Sequence, residues 1–517
     1  MKRFWRRVYK FFFTSNPYLL LGFLVIVTIT IILRFYNFTG RVIVHIDSTK
    51  DALVAIYGAS HLQLPISGPF LSIGPMVTGP WYWIQLIFSR LIIPSNYAPW
   101  ILMATYSSLT VITMFAIGTL LVNPVFGLVV SFLTSVSPPQ IFNGVYLLSH
   151  TVISFFATLI ILLFLLLTRY PRMRFLYLVW GVAAGLMVTI HYQTVGLLIL
   201  PFIFFVFYRP RLKLVKFFLI GGFFPTVPLL IFELNNFWYN TRHFYQYLRY
   251  DQFLIYVPKR WLTFILDFLP ESLAYISGLT LEVSRFVMFL VTIVFSVLTV
   301  KKKLDKRWLL LGFTLLMQLI ILRYYRGEIT PGYLQFLHPL IFLFLGLPYL
   351  LFKQSKYQSV ILLLILAVFL TNTYQTISNS LTPHWLTSET FVNLDKIYEL
   401  KPAPAYRIFS CGYPNDPRVG ALAIGLYLQN RYDVGGLPLA FNAGACKLPK
   451  TQLTTKSEAE LFPQILQLID FSVASSSAIR EAGWQEINAQ NTYQSVTRWW
   501  MDEQPYSIHA TAWKIEE

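Results

Sequence analysis

The first 373 residues alternate between long apolar stretches and short polar or basic loops. About 20 apolar residues are enough for one helix to cross the hydrocarbon core of a bilayer. The pattern therefore predicts an α-helical polytopic membrane protein with about 11 transmembrane helices. The predicted spans are 17–36, 97–122, 124–141, 149–168, 175–190, 192–208, 214–233, 282–300, 307–322, 333–351 and 358–373.

Basic residues are concentrated in a few of the loops between these spans. If the N-terminus is a retained, uncleaved signal anchor in the cytoplasm, every strongly basic short loop falls on the cytoplasmic side, as the positive-inside rule requires. The segment 37–96 and the region beyond 373 then lie on the opposite, extracytoplasmic side. The basic loops are 168–174, 208–216, 301–307 and 353–356.

The composition indicates the same class of protein. The 517 residues are 56% hydrophobic and 12% charged, whereas soluble domains contain about 25% charged residues. A net charge of +18 could suit a nucleic-acid partner, but these charges lie mostly in loops between spans, as expected of a membrane protein. We therefore expect an integral protein of the plasma membrane whose surroundings are the lipid bilayer, with no nucleic-acid partner.

The first outer loop, 37–96, is predicted to stay on the membrane surface. Its segments 50–63 and 80–92 are amphipathic, which favours helices lying in the interface. The link between them, 65–80, is rich in Gly and Pro and is typical of a tight, shaped loop.

Residues 374–517 are predicted to form a small extracytoplasmic α/β domain that follows the membrane domain, 1–373. This tail contains 11 basic and 14 acidic residues, an ordinary soluble surface. Its cysteines, Cys411 and Cys446, could form a disulfide or remain two free thiols. The predicted strands are 406–410, 471–474 and 507–515, and the predicted helices are 388–400 and 418–429.

A short polar run at 45–51 follows the first span and contains two carboxylates, Asp47 and Asp51. If the run is helical, residues four apart lie on one face, about one turn from each other. Two acids at the mouth of an apolar bundle suggest proton chemistry on a substrate at the membrane surface. The alternative is a helix start whose acids favour the positive dipole end and whose Lys50 pairs locally.

Other polar residues gather on the same predicted outer face. Glu233 could line a pocket or organise a loop. His191 could also line a pocket, or it could simply be the last residue of a helix. Arginines predicted on the outer face depart from the positive-inside rule. Because arginine binds phosphate oxygens bidentately, a lipid phosphate is a natural ligand for them. The alternative is that they make ordinary contacts with lipid headgroups. The candidate substrate-binding residues are Lys50, His191, Gln193, Glu233, Arg242, Arg323, Arg326 and Tyr333.

Several common chemistries have no motif in the chain. There is no Cys/His spacing for zinc, no Walker A sequence, no dinucleotide fingerprint and no Gly-X-Ser-X-Gly. We therefore expect no cofactor and no metal. The energy for a reaction would come with the substrate, as it does for an activated lipid-phosphate donor.

The order of these motifs resembles that of the GT-C glycosyltransferases. The resemblance is to bacterial members of the protein O-mannosyltransferase-like (dolichyl-phosphate-mannose) superfamily, which includes aminoarabinose transferases. Asp47-Ser-Thr-Lys-Asp51 is similar to the Asp-Gln-Gly-Arg-Asp run of one bacterial subgroup and differs from it at the three middle positions. The other similar runs are 68–83, 191–194, 228–233 and 332–339.

The resemblance implies metal-independent transfer of a sugar, with inversion, from a polyprenyl-phosphate donor to a hydroxyl acceptor in the cell envelope. It implies that Asp47 is the general base and that Asp51 and Lys50 orient it. The implied phosphate ligands are Arg323 and Arg326, and the implied cavity residues are Glu233 and His191.

Three other functions fit part of the pattern. A transporter or lipid-linked glycan flippase would usually carry charges near the midplane and have repeated halves, neither of which the sequence shows. A glycan polymerase or ligase would use similar donors with a different acceptor. A surface receptor whose tail binds glycan would need no catalytic acid, so loss of activity on changing Asp47 would exclude it.

Overall fold

The computed structural model describes residues 16–43, 46–69, 71, 76–95, 97–249, 260–324, 331–352 and 358–382, and five strands between 406 and 515. These residues form two compact units. The first consists of the described parts of Met1–Tyr36, Leu62–Ile92 and Ala98–Thr382, and the second of those of Asn37–His61, Ile93–Tyr97 and Pro383–Glu517.

The helices are numbered here in chain order; α2 and α3 belong to the second unit and the others to the first. The first twelve are α1 (Pro17–Phe35), α2 (Phe38–Arg41), α3 (Ile46–Ser60), α4 (Trp81–Ile92), α5 (Ala98–Leu121), α6 (Pro124–Ser135), α7 (Pro138–Phe142), α8 (Ile153–Arg169), α9 (Arg174–Ile190), α10 (Ile199–Tyr208), α11 (Leu212–Phe223) and α12 (Val227–Asn235). The rest are α13 (Tyr239–Arg249), α14 (Arg260–Thr263), α15 (Leu269–Ser277), α16 (Leu281–Val300), α17 (Lys306–Tyr324), α18 (His338–Leu345), α19 (Tyr349–Phe352) and α20 (Gln358–Leu381). Short 3-10 segments cover Tyr192–Leu198, Phe224–Thr226 and Pro331–Leu337, and a π-helical turn covers Phe264–Phe268.

Each predicted span coincides with a helix or with consecutive helices. Within the described residues, six helical segments are long and apolar enough to cross a membrane, and four shorter helices are also apolar. The protein is therefore an integral membrane protein, while the total of eleven crossings stays a prediction. The six are Pro17–Phe35, Ala98–Leu121, Leu212–Asn235, Leu281–Val300, Lys306–Tyr324 and Gly332–Phe352.

Some predicted helix boundaries were wrong. The span predicted at 124–141 is broken, because α6 ends at Ser135 and Pro138 starts a new short helix. Proline cannot donate a helical hydrogen bond and disfavours helical backbone in the residue before it, so it starts helices rather than continuing them. At the other end of the unit, α20 runs to Leu381 rather than 373, because hydropathy marks only the apolar part of a helix.

Small residues let the helices of the first unit approach closely. A Cβ atom on Gly118 of α5 would lie 2.7 Å from the Cα atom of Gly127 in α6. Helices α9 and α11 meet in the same way through Gly185 and Gly222. In a bilayer, where apolar burial does not drive helix association, such close van der Waals contact is a main source of stability.

A buried arginine joins α1 to the end of α6. The Arg34 guanidinium is fully buried, and its Nε donates to the Ser107 hydroxyl at 3.1 Å. The same guanidinium donates to the carbonyl oxygens of Thr134 and Ser135 in the last turn of α6. Free carbonyls at a helix C-terminus carry the negative end of the helix dipole, so they are suitable partners for a cation. Ser107 in turn donates to the carbonyl of Gln140.

Replacement of this arginine is expected to destabilise the fold. Arg34→Met keeps most of the side-chain length but leaves buried carbonyls unpaired, at a cost of about 2 kcal/mol of unfolding free energy. The check is the thermal unfolding midpoint of the purified protein in detergent. Arg285→Met is the control, because its side chain is half exposed and its contact with Asp267 is long, at 3.7 Å. Equal midpoints for both variants would contradict the proposed role of Arg34.

The second unit contains α3 and a five-stranded sheet. β5 is its central strand and pairs antiparallel with three others, while β1 lies at one edge, parallel to β2. The strands are β1 (Tyr406–Phe409), β2 (Gln467–Ser472), β3 (Trp484–Glu486), β4 (Tyr493–Arg498) and β5 (Pro505–Ile515).

The strand predictions for the tail are partly confirmed. β1 and β5 match two of the three predicted strands closely, whereas β2 begins at Gln467, four residues before the predicted start. β3 and β4 were not predicted. The predicted helices 388–400 and 418–429 and both cysteines lie outside the described residues.

Candidate functional site

The predicted Gly/Pro loop forms a narrow two-stranded ribbon before α4. The Gly68 N–H donates to the Thr78 carbonyl at 2.8 Å, and the Thr78 N–H donates to the Pro69 carbonyl at 3.0 Å. A Cβ atom on Gly68 would collide with the carbonyl oxygen of Gly79, so a residue with any side chain would push the two limbs apart. The tight loop expected from the sequence is thus confirmed for its described residues.

The second limb of this ribbon, 77–79, is held in place by hydrogen bonds to its backbone groups. The Asn240 side chain bonds both peptide groups of Val77: its Oδ1 accepts from the N–H at 2.8 Å and its Nδ2 donates to the carbonyl at 3.0 Å. The Tyr192 hydroxyl donates to the same carbonyl at 2.8 Å, and the Gly79 N–H donates to the Thr189 carbonyl at 2.7 Å. The ribbon is therefore fixed to the end of α9 and to the start of α13.

Glu233 organises this arrangement. Its carboxylate is buried, with Oε1 accepting from the Asn240 N–H at 2.9 Å and Oε2 accepting from the N–H and hydroxyl of Thr241 at 3.2 and 2.9 Å. These donors lie in the first turn of α13, where free N–H groups and the helix dipole favour an anion. The contacts match the loop-organising alternative for Glu233; direct substrate binding by this residue stays a prediction.

Removal of this carboxylate is expected to loosen the ribbon. In Glu233→Ala the first turn of α13 loses its acceptors and Asn240 loses its anchor, which should cost about 1–3 kcal/mol. The expected result is a lower thermal midpoint together with faster proteolysis within 65–80. Glu282→Ala removes an exposed acid from the first turn of α16 and serves as the control. Unchanged proteolysis of the loop in Glu233→Ala would show that Asn240 holds Val77 without it.

Three aromatic rings from separate parts of the first unit meet at one place. The His150 ring lies 6.4 Å from the His191 ring and 5.8 Å from the Tyr333 ring, and the last two lie 5.8 Å apart, centroid to centroid. Gly332 makes this possible, because a Cβ atom there would lie 2.8 Å from Nε2 of His150. We call His150, His191 and Tyr333 the ring cluster. His191 and Tyr333 were candidates from the sequence, whereas His150 was missed.

His191 is an unusual member of the ring cluster. It follows α9, between two apolar helices, and is 8% exposed. Burial lowers the pKa of its imidazole to about 4, so the ring is neutral at physiological pH. Neither ring nitrogen hydrogen-bonds to any residue of the described part of the chain. A neutral imidazole carries one donor and one acceptor, so this ring can hydrogen-bond a ligand or water.

Arg323 lies in the last turn of α17 as a buried cation. Its side chain is 7% exposed, and its guanidinium lies 4.7 Å from the centroid of the Trp261 ring and 5.7 Å from that of the adjacent Tyr324 ring. Its buried Nε has no hydrogen-bond partner, and no carboxylate of the described residues pairs with it. This cation–π contact with Trp261 holds the guanidinium in place and leaves its donors available to an anion. Arg326 lies outside the described residues.

An apolar cavity of about 610 Å³ opens beside the same helix. Its walls come from the π-helical turn and from α15 to α18, and are almost entirely apolar. Leu319, one helical turn before Arg323, is part of the wall, so the cavity and the guanidinium share one face of α17. Representative wall residues are Phe268, Leu273, Phe295, Leu319 and Phe344.

The remaining candidates are distributed as follows. Asp47 and Asp51 both lie in α3, so the helical condition for placing them one turn apart is met, and Asp51 is buried. The side chains of Asp47 and Lys50 lie outside the described residues. In the first unit, Gln193 has a buried Oε1 without a hydrogen-bond partner in the described region, and Arg242 is exposed on α13. That α3 acts together with residues of the first unit stays a prediction.

The architecture is the GT-C fold, as comparison with solved structures shows. A crystal structure of ArnT from Cupriavidus metallidurans bound to undecaprenyl phosphate superposes with a TM-score of 0.57, over 96% of this chain and 98% of that chain, at 10% sequence identity. The oligosaccharyltransferase AglB from Archaeoglobus fulgidus, in complex with an inhibitory peptide and a dolichol-phosphate, gives a TM-score of 0.51 over 88% of this chain and 70% of that chain, at 11% identity. No protein-family model and no curated protein sequence matches the chain.

Proposed function

We propose that this protein is a membrane glycosyltransferase that transfers a sugar from a polyprenyl-phosphate donor to a hydroxyl acceptor in the cell envelope. The observation that carries the proposal is Arg323, a buried cation without a carboxylate partner in the described region, beside an apolar cavity on the same helix. Burying an unpaired charge is costly, so such a group calls for an anion. An anion joined to a long apolar chain satisfies both features at once.

A polyprenyl phosphate has this composition. Its phosphate would accept charge-assisted hydrogen bonds from the free donors of Arg323, and its first isoprene units would occupy the cavity beside α17. The similarity in fold to ArnT and AglB supports this proposal, since the structures of those proteins contain undecaprenyl phosphate and a dolichol-phosphate. We infer Arg326 as a second phosphate ligand from the sequence resemblance.

The proposed reaction is a single displacement with inversion. The Asp47 carboxylate takes the proton of the acceptor hydroxyl while that oxygen forms a bond with the anomeric carbon. The bond between the anomeric carbon and the phosphate oxygen breaks, and its electron pair leaves with the polyprenyl phosphate. Arg323 stabilises the charge that grows on the leaving phosphate. Asp51 and Lys50, on the same helix as Asp47, orient the base.

The proposed orientation puts this chemistry on the extracytoplasmic face. The N-terminus lies in the cytoplasm, and the outer loop 37–96 and residues 374–517 lie outside. The distribution of basic loops supports this orientation.

The test is donor consumption by the purified full-length protein. Undecaprenyl phosphates carrying different radiolabelled sugars are incubated with the protein and a cell-envelope fraction, and both released undecaprenyl phosphate and labelled product are measured. The proposal expects both to form from at least one donor. A folded protein that consumes no donor, but moves lipid-linked sugars across the membrane of proteoliposomes, would be a flippase instead.

A further inference from the structure

The contacts of α17 define how it runs beside the segment that follows His191. At the start of α17, the Lys306 ammonium donates to the carbonyl of Phe207, near the end of α10. Further along, Gln318 meets Gly196, where a Cβ atom would lie 2.8 Å from the Gln318 amide nitrogen. Two contacts in this order mean that α17 and the segment 192–208 run antiparallel.

This antiparallel packing brings Arg323 and His191 to a similar depth. Arg323 lies five residues beyond the Gln318 contact, about 7.5 Å along an α-helix. His191 lies five residues before Gly196, about 10 Å along a 3-10 segment, and in the same direction. The group that would hold a phosphate and His191 of the ring cluster therefore lie at a similar depth, toward one end of the bundle.

The ring cluster has the chemistry of a carbohydrate subsite. Three rings offer apolar faces to the C–H groups of a sugar, and two imidazoles and a phenol offer donors and acceptors at their edges. His191 presents both ring nitrogens unpaired, and its neutrality avoids competition with Arg323 for the phosphate. A few fixed polar groups in a mostly apolar setting are what orient small ligands in proteins.

We propose that His150, His191 and Tyr333 form the subsite that binds the sugar ring of the polyprenyl-phosphate donor. This inference rests on the proposed function and adds to it a residue, His150, that the sequence did not indicate. The subsite recognises the sugar, Arg323 recognises the phosphate, and the apolar cavity holds the isoprenoid chain. The two parts of the donor are thus bound by separable groups.

Separate binding measurements on the sugar and the phosphate test this division. The probes are undecaprenyl phosphate and a series of its glycosylated forms carrying neutral hexoses, pentoses or amino sugars, titrated against full-length protein in lipid nanodiscs. For the best sugar of the series, the wild type is expected to bind the glycosylated lipid about tenfold more tightly than undecaprenyl phosphate. His150→Phe and His191→Phe should reduce this ratio to about one, with undecaprenyl phosphate bound within about twofold of wild type.

Matched variants keep the result interpretable. His243→Phe changes a histidine whose Nδ1 bonds only to the Tyr239 carbonyl of its own helix, and it should leave the ratio unchanged. His191→Gln restores one donor and one acceptor and should recover part of the ratio. The proposed subsite would be wrong if both Phe variants kept the wild-type preference for the glycosylated lipid over undecaprenyl phosphate. It would also be wrong if the wild type bound undecaprenyl phosphate and all of its glycosylated forms equally. A wild type that binds none of these lipids would instead overturn the proposed function itself.

Discussion

Asp47→Asn is expected to lower sugar transfer by about 10²–10⁴-fold, the usual contribution of a general base. The amide has nearly the same shape as the carboxylate but cannot take the acceptor proton. Donor binding should stay close to wild type, because the phosphate and the chain are bound elsewhere in this proposal. The measurement is the initial rate of labelled product at saturating donor, together with donor affinity in nanodiscs.

An isosteric change at another acid serves as the control for Asp47→Asn. Asp267→Asn removes one charge from a half-exposed pair with Arg285, and such pairs contribute little. Its rate should stay within about twofold of wild type. If Asp47→Asn turns over as fast as this control, Asp47 is not the base.

Arg323→Gln is expected to weaken the binding of undecaprenyl phosphate by about 10- to 100-fold, because hydrogen bonds to a charged group contribute about 1.5–3 kcal/mol each. Glutamine keeps a polar planar end but loses the charge and the forked donors. Transfer should fall further than binding, since the same cation is proposed to stabilise the leaving phosphate. Affinity and rate are measured on the same preparations.

Arg323→Lys separates charge from geometry. Lysine keeps the positive charge but cannot donate bidentately to a phosphate, so the affinity of Arg323→Lys should lie between those of wild type and Arg323→Gln. Arg285→Gln is the control at a half-exposed arginine. Wild-type affinity in both Arg323 variants would place the phosphate elsewhere and leave the buried cation unexplained.

The membrane helices were predictable because apolarity is a local property of the chain. Each predicted span coincides with a helix or with consecutive helices, and the errors fall where local polarity and backbone chemistry disagree. The prolines after Ser135 divide an apolar run, and the polar end of α20 continues a helix that hydropathy alone ends at 373. Length and apolarity could not reveal either feature.

The site was predictable only in part, because its contacts join distant segments. Arg323 was indicated by its predicted position on the extracytoplasmic side, where arginines are unusual, but its contact with the Trp261 ring depends on packing across 62 residues of sequence. His150 carried no motif, and only its position beside a turn predicted to face outward could have suggested it. Asn240 is a similar case, because its role appears only once Val77 lies next to it.

The hydrogen bonds that Asn240 and Tyr192 make to the backbone of Val77 also affect how the loop 65–80 can change in evolution. Asn240 and Tyr192 bind the peptide groups of residue 77 and make no use of its side chain to do so. Other apolar side chains that fit this buried position can therefore replace Val77 without changing the path of the loop, provided that the groups binding its backbone persist.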